Sequence, residues 1–394
     1  MTLKKYFVPG VLALCVLISL VMAVFKPLPH GHRYDLEIKL SLALAIFYLF
    51  TRVRPEWTIK KTVLVLAFAA GVGLGIGEIA TIDPHAEVIR VYESVFTAIR
   101  NQQNPYTTGT IFHFAEYRKP VYGDFNYPPA EIYPYYLAYR LTGVWNSTVF
   151  TSVLIILHAL VCLIFLWTFP DIRRGYLVPF FTLFLFTEII TNPAMTFFVT
   201  ALTLLVIKKN MEAPWRGYRW LIAVLFGVGL MTKFLIIPLM AAYYWHKVDL
   251  KKPSTILNIV PDVAVSLGTA VVIMAPYGVG AVLKNTILFN LILKDRAVFT
   301  TFYPNVLSGP MSLLGLGGLY PIVAVLILVS AVFVAPKLSL TSALMTAAFA
   351  FLFVTATPEP QYVPVMLYLS LYAIFLKMER TDPLILRRRQ EVPA

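Results

Sequence analysis

Apolar runs of membrane-spanning length recur along the whole chain, separated by short polar or basic stretches. A run of about 17 to 25 apolar residues is long enough to cross the hydrocarbon core of a bilayer as a helix. We therefore predict an all-α polytopic membrane protein with about twelve transmembrane helices. The predicted spans are residues 7–25, 36–51, 62–80, 146–168, 175–190, 193–208, two half-length helices around Thr232-Lys233, 254–275, 311–334, 339–357 and 362–377.

Lysine and arginine are clustered in the intervals between these runs, and the clusters define the predicted orientation. They are Lys4-Lys5, Arg52 to Lys61, Arg173-Arg174, Lys208 to Arg219, Lys247 to Lys252 and Arg387 to Arg389. Short basic loops stay on the cytoplasmic side, so we predict that all of them, and both termini, are cytoplasmic. The net charge of +13 comes from these clusters rather than from one basic helix face, so no nucleic-acid partner is predicted. The expected location is the plasma membrane or the endoplasmic reticulum.

The chain has no room for a separate soluble domain. Charged residues make up 13% of it, against about 25% in a typical soluble domain. We divide it into an N-terminal transmembrane hairpin with a basic cytoplasmic loop, a transmembrane domain, and a basic cytoplasmic tail. These are residues 1–61, 62–377 and 378–394, and the outer loops of the middle part are 81–145, 276–310 and 357–362.

The apolar stretch around Thr232-Lys233 has basic residues at both ends. Two half-length helices that meet at Lys233 would leave both flanks in the cytoplasm, whereas one kinked span would place one flank outside. A lysine within an apolar run is costly, so it indicates either a substrate contact or a structural pair. Asp262 and a helix C-terminus are the structural alternatives for Lys233.

The first outer loop begins with a predicted amphipathic helix over residues 84–100. Pro84 stands at its start, and the four apolar residues of one face have helical spacing. These residues are Val88, Val91, Val95 and Ile99. Such a helix is expected to lie in the outer membrane interface.

Asp83 lies where the third predicted span ends and this loop begins. Two interpretations are open from the local sequence. Asp83 caps the interfacial helix, as an Asp before Pro commonly does. Alternatively, it is a functional group, because an ionisable residue at the mouth of a helix bundle needs a specific reason to be there.

Four segments occur in an order that resembles the GT-C glycosyltransferases. Asp83 follows a transmembrane helix and precedes the amphipathic helix, the turn Asn104-Pro105-Tyr106 and the re-entry Tyr127-Pro128-Pro129. The stretches "GVGLMTKFLIIPL" and "PEPQYVPVMLYLSLY" complete the likeness, which covers residues 62–377. It is closest to the polyprenyl-phosphate-mannose-dependent mannosyltransferases, including those that act on phosphatidylinositol mannosides.

The resemblance implies a GT-C-like bundle with a large first outer loop and an active site on the extracytoplasmic face. It implies an enzyme that transfers a sugar, with mannose expected, from a polyprenyl- or dolichyl-phosphate sugar to an acceptor hydroxyl, with inversion. The acceptor is a lipid, a glycan or a protein. An alcohol needs a base when it attacks, and Asp83 would be that base. The chain has one clear acid near residue 83 where the family has an adjacent acidic pair, so the resemblance does not extend to metal dependence.

The candidate substrate-binding residues lie in the outer loops and at the helix break. They are Glu87, His85, Arg90, Tyr127, Lys233, Lys294, Arg296, Glu359, Gln361 and Tyr362. Lys294 and Arg296 follow the apolar stretch "NTILFNLI", which would lie along a polyprenyl chain and leave the two cations at its phosphate. The alternative is that these cations extend from an interfacial helix to water. His113 is a further histidine of the loop, for which a solvated position is the commoner case.

Motifs of other chemistries are missing from the sequence. It has no HExxH, no DxD and no P-loop, so we predict no metal site, no cofactor and no ATP-driven pump.

A lipid flippase or secondary transporter is the main alternative to a glycosyltransferase, because a split helix with a charged residue suits a carrier. A polymerase or ligase of lipid-linked polysaccharide is the other. A carrier would place its ionisable groups near the midplane, whereas most of those here lie in loops. In all three cases membrane lipids are expected to contact the protein.

Overall fold

The computed structural model describes residues 87–114, 120–169, 194–249, 251–286, 288, 311 and 313–354, together with 365, 368, 369, 372, 373 and 376. Over these residues the chain is mostly helical, as predicted. The helices are α1 (Glu87–Arg100), α2 (Ile132–Thr142), α3 (Ser147–Thr168), α4 (Ala194–Glu212), α5 (Arg216–Leu230), α6 (Ile236–His246), α7 (Val260–Met274), α8 (Val279–Leu283), α9 (Tyr320–Phe333) and α10 (Leu340–Val354). Two strands, β1 (Ile111–Phe114) and β2 (Pro120–Gly123), form an antiparallel hairpin.

Four helical segments of the described residues are long and apolar enough to cross a membrane. They are Ser147–Phe165, Ala194–Glu212, Val260–Tyr277 and Gly317–Lys337. The chain is therefore a helical membrane protein. The predicted spans 7–25, 36–51, 62–80 and 175–190 lie outside the described residues, so the total of about twelve stays a prediction. The predicted helix 311–334 is shorter than expected, because Gly315 adopts a φ of +71° and α9 begins only at Tyr320.

The chain divides into two compact units. The larger unit comprises residues 59–237 and 256–295, and the smaller unit comprises 1–58, 238–255 and 296–394. In the smaller unit, small side chains from α6 and α10 are buried together in one cluster. The Tyr320 hydroxyl of α9 donates to the carbonyl of Val354 at the end of α10, which joins these two helices.

Helices α5 and α7 of the larger unit run in the same direction. Arg219, near the start of α5, forms an ion pair of 2.5 Å with the buried Asp262, near the start of α7. One turn further along, the hydroxyl of Ser266 donates to the carbonyl of Ala223 at 2.8 Å.

The predicted break between two helices near Lys233 is present in the structure. Helix α5 ends at Leu230, α6 begins at Ile236, and Thr232 and Lys233 lie in the break between them. The predicted alternative of a structural pair between Lys233 and Asp262 is wrong. Asp262 lies at the opposite end of α5, where Arg219 neutralises it.

Helices α3 and α4 also run parallel to each other. The ring of His158 in α3 packs edge-on against Phe197 near the start of α4. At the far end, the ammonium of Lys208 lies 5.2 Å from the ring centroid of Phe169, which follows α3. The starts of α3 and α4 and the ends of α5 and α7 therefore lie at one end of the larger unit, together with residues 87–114 and 120–145; we call it the loop end. Lys208 and Arg219 lie at the opposite end.

A glycine allows the close approach of α5 and α7. A Cβ atom built on Gly227 would lie 2.4 Å from the carbonyl oxygen of Ser266, a contact that the rigid helix backbone cannot relieve. Gly268, in the interior of α7, has nothing within 4 Å of the same position.

Gly227→Ala is therefore expected to destabilise the protein by about 1 to 3 kcal/mol. Gly268→Ala is the matched control and is expected to be neutral or to stabilise by about 0.5 to 1 kcal/mol, because alanine favours the helix. Thermal unfolding in detergent measures both. Equal unfolding midpoints for the two variants would contradict the close approach of α5 and α7 at Gly227.

The loop after residue 86 is an ordered assembly around α1. The predicted helix is present as Glu87–Arg100, and its buried face contains Val91 and Val95 as predicted. Val88 and Ile99 are only half-buried, because burial is centred instead on Tyr92 and Phe96. These two rings pack against Trp145 and the tyrosines of α2. The apolar face of α1 is therefore covered by protein.

The hairpin and the start of α3 complete the loop. The hairpin was not predicted, because its strands are only four residues each. Strand β1 is attached to α1 through the Ser94 hydroxyl, which accepts from the backbone N–H of Phe112 at 3.1 Å. Asn146 caps α3, since its side-chain oxygen accepts from the N–H of Val149 at 2.9 Å.

Candidate functional site

Only part of the predicted site lies within the described residues. Seven of the predicted residues lie outside them: Asp83, His85, Lys294, Arg296, Glu359, Gln361 and Tyr362. Glu87 is the first residue of α1, and its side chain is not described. Arg90, Tyr127 and Lys233 are described with their side chains.

Arg90 lies on α1 beside the hairpin. Its guanidinium carbon is 5.0 Å from the ring centroid of Phe112 in β1, which is a cation–π distance. Arg90 thus contributes to the packing of α1 on β1.

Tyr127 and Lys233 are in direct contact. The ammonium nitrogen of Lys233 lies 4.4 Å from the centroid of the Tyr127 ring, and both side chains are half-buried. Three residues beyond Tyr127, the backbone N–H of Ala130 donates to the carbonyl of Met231 at 2.9 Å. The Tyr-Pro-Pro re-entry is therefore fixed to the break between α5 and α6, which brings together two segments separated by about 100 residues in sequence.

The turn Asn104-Pro105-Tyr106 joins the same group. The buried Tyr106 hydroxyl donates to the carbonyl of Tyr127 at 2.7 Å. Asn104 closes its own turn by accepting from the N–H of Tyr106 at 3.0 Å, and its amide donates to the carbonyl of Tyr277 at 2.7 Å. Three of the segments that carry the resemblance, namely the Asn-Pro-Tyr turn, the Tyr-Pro-Pro re-entry and the Thr-Lys break, thus meet at the loop end. The stretch "PEPQYVPVMLYLSLY" lies mostly outside the described residues.

Asn285 connects the residues after α7 to the first loop. Its amide donates to the carbonyl of Tyr106 at 2.6 Å and lies 3.4 Å from a carboxylate oxygen of Asp124. The other oxygen of Asp124 accepts from the N–H of Gly109 at 2.9 Å. His113 lies beside this connection, with its Nε2 3.0 Å from the carbonyl of Asp124, so it has a bonded position in the hairpin rather than a solvated one.

Glu131 is a residue of this region that the sequence reasoning did not single out. It ends the short helical turn Pro129–Glu131 and is fully buried. The hydroxyl of Thr196, in the first turn of α4, donates to its carboxylate at 3.4 Å. Within the sequence, a single acid in the tyrosine- and proline-rich stretch "NYPPAEIYPYY" was the available signal.

Two buried tyrosines, Tyr92 and Tyr106, lie close enough to this carboxylate for its charge to affect their pKa values. Burial is the main cause that raises the pKa of Tyr92 and of Tyr106 well above the usual value of 10.0. The charge of Glu131 acts in the same direction on both. Both tyrosines therefore stay protonated and keep their capacity to donate hydrogen bonds at physiological pH.

The hydroxyls of Tyr92 and Tyr106 differ in their hydrogen bonding, so replacing each tyrosine with phenylalanine is expected to have opposite effects on stability. Within the described part of the chain, the Tyr92 hydroxyl has no hydrogen-bond partner, whereas that of Tyr106 donates to Tyr127. Tyr106→Phe is expected to destabilise the protein by about 1 to 2 kcal/mol, because the carbonyl of the half-buried Tyr127 loses this donor. Tyr92→Phe is expected to be neutral or to stabilise by up to about 1 kcal/mol, because it removes a buried group without a partner.

Thermal unfolding of the two variants in the same detergent measures this difference. A loss in Tyr92→Phe as large as in Tyr106→Phe would mean that the Tyr92 hydroxyl has a partner, such as a bound water. An unfolding midpoint of Tyr106→Phe equal to that of the wild type would contradict a stabilising hydrogen bond from Tyr106 to Tyr127.

The loop end thus combines a half-buried cation, an aromatic face, a buried carboxylate and several hydroxyl groups in one place. The half-buried Lys233 and Tyr127 are accessible to a ligand and can bind an anionic group, whereas the Glu131 carboxylate is fully buried. Among the described residues no group of three or more His, Cys, Asp or Glu is placed to hold a metal ion. Comparison of the chain with protein-family models, with curated proteins and with solved structures finds no match.

Proposed function

We propose that the protein is an integral membrane glycosyltransferase of the GT-C type. It transfers a sugar, with mannose expected, from a polyprenyl- or dolichyl-phosphate sugar to an acceptor hydroxyl at the extracytoplasmic face. The observation that carries the proposal is the contact of Lys233 with Tyr127 at the loop end, where the Asn-Pro-Tyr turn, the Tyr-Pro-Pro re-entry and the Thr-Lys break converge.

The chemistry of the reaction agrees with such a site. The departing lipid phosphate is a stable anion, so it needs cations rather than a general acid. Lys233 supplies one cation at the break, and Lys294 and Arg296 supply others from the second outer loop. Asp83 accepts the proton of the attacking hydroxyl. Tyr127 presents a ring to the sugar or to a prenyl unit, and Glu359, Gln361 and Tyr362 contribute further polar and aromatic contacts.

The direction of the helices supports an outer location for the site. The end of the larger unit that holds Lys208 and Arg219 would be cytoplasmic by the positive-inside rule. The loop end would then face the outside, where the donor arrives from the bilayer and the acceptor from water or from the membrane surface. In this arrangement the bundle has about twelve spans, and both termini are cytoplasmic.

The proposal is tested by transfer in proteoliposomes. The purified protein is reconstituted, supplied with radiolabelled polyprenyl-phosphate mannose and a crude lipid extract, and assayed for labelled product. Protein-free liposomes are the control. Transfer of label to a new product supports the enzyme, whereas absence of both donor binding and transfer overturns it.

The break at Lys233 also fits a carrier, which is the second candidate. Discontinuous helices with a charged residue at the break form the binding sites of many transporters. A carrier would bind the labelled lipid and move it between leaflets without forming product. Measuring access of the label to a membrane-impermeant reagent in the same proteoliposomes separates this outcome from transfer.

A further inference from the structure

Glu131 lies where three parts of the larger unit meet. Its own turn is part of the re-entry that carries Tyr127. The carboxylate accepts from Thr196 at the start of α4, and the preceding residue, Ala130, is hydrogen-bonded to Met231 in the break. A single short turn thus connects the outer loop, α4 and the segment that carries Lys233.

The surroundings of Glu131 explain why a carboxylate is tolerated there. A buried charge is costly unless polar groups or dipoles compensate for it. Thr196 donates a hydrogen bond, and the first turn of a helix carries a partial positive charge that stabilises a nearby anion. Pro193 precedes α4 in the sequence, and proline is common at the start of a helix.

The residues on either side of Glu131 connect it to the contact between Tyr127 and Lys233. Ala130 and Ile132 are buried, so the turn cannot shift without disturbing the core around it. Tyr127 precedes the turn by two residues, and its carbonyl is held by Tyr106. The segment from Tyr127 to Glu131 is thus held at one end by Tyr106 and at the other by the bond of Glu131 to α4.

We propose that Glu131 is a positioning residue: its bond to the start of α4 holds the re-entry turn so that the Tyr127 ring covers the Lys233 ammonium. The effect on catalysis rests on the proposed function, but the effect on the Lys233–Tyr127 contact does not. A change in Glu131 should therefore alter the surroundings of Lys233 even in the absence of any substrate.

The test measures the reactivity of individual lysines in the full-length protein. Glu131→Gln and Thr196→Val are each treated briefly with an amine-reactive reagent, and labelling at each lysine is quantified by mass spectrometry. Labelling of Lys233 is expected to rise about two- to fivefold, the factor that corresponds to losing a cation–π contact. Labelling of Lys284, which is exposed, is expected to stay unchanged.

Thr203→Val is the matched control variant. Thr203 is also a buried threonine of α4, but its hydroxyl donates to the carbonyl of Val199 within the helix. This variant should leave Lys233 labelling at the wild-type value. Unchanged Lys233 labelling in both Glu131→Gln and Thr196→Val would overturn the proposal, as would a uniform increase at all lysines.

Transfer kinetics provide the second measurement. If the wild type transfers sugar, Glu131→Gln is expected to raise the KM for the donor with a smaller change in kcat, since Glu131 acts on the binding contact and not on the reacting atoms. A wild type that transfers nothing counts against the proposed function alone, because the labelling result is independent of it. An unchanged KM together with altered labelling would show that the Tyr127–Lys233 contact does not serve donor binding.

Discussion

Asp83→Asn is expected to lower the rate of sugar transfer by a factor of about 10² to 10⁴ while donor binding is retained. The amide has nearly the same shape as the carboxylate but cannot accept the proton of the attacking hydroxyl. The leaving lipid phosphate needs no proton, so loss of the base affects the acceptor side of the reaction. The initial rate of transfer and the dissociation constant of the donor, both in proteoliposomes, are the two measurements.

Glu93→Gln is the control for this variant. It makes the same change from acid to amide at an exposed position of α1, only ten residues further along the chain. Its transfer rate should match that of the wild type. If Asp83→Asn retains the wild-type rate, Asp83 is a helix cap rather than the base. In that case Asp83→Ala should lower the free energy of unfolding of the protein by about 1 kcal/mol.

Lys233→Met is expected to raise the KM for the donor by roughly 10- to 100-fold, the effect of losing a charge-assisted hydrogen bond to phosphate. Methionine retains the unbranched shape of the side chain and its packing on Tyr127. Lys233→Arg keeps the charge and should recover most of the affinity. The KM of the donor in the transfer assay, measured at low and high salt, tests the charge directly.

Lys284→Met is the matched control, since Lys284 is an exposed lysine of the same unit. It should leave the KM within about twofold of the wild type, as expected for a surface charge. If Lys233→Met has no larger effect than Lys284→Met, the phosphate is bound elsewhere, and Lys294 and Arg296 become the first residues to examine.

The helix break was predictable because the residues that require it are next to it in the sequence. Basic residues flank the apolar run on both sides, and a single span cannot place both flanks in the cytoplasm. The structure has α5 and α6 interrupted at Thr232-Lys233, as this argument requires. Helix α1 was predictable for a similar reason, since its apolar spacing is visible within 14 residues.

The contacts that assemble the site could not be predicted in this way. Hydropathy shows that Lys233 is unusual, but not whether Asp262 or Tyr127 is its neighbour. That choice depends on α5 and α7 running parallel, which places Asp262 beside Arg219 and leaves the break next to the re-entry. Glu131 was missed because its role depends on Thr196, 65 residues away.

The bonds between the first loop and the residues after α7 affect how the protein is made. Asn104 bonds to Tyr277, 173 residues later, and Asn285 bonds to Tyr106, 179 residues earlier. At a synthesis rate of about 5 to 20 residues per second, Asn104 and Tyr106 are made roughly 9 to 36 s before their partners. During that interval, the amide of Asn104 and the carbonyl of Tyr106 depend on water for their hydrogen bonds. The nascent loop is therefore expected to be most accessible to proteases and chaperones until α7 is inserted.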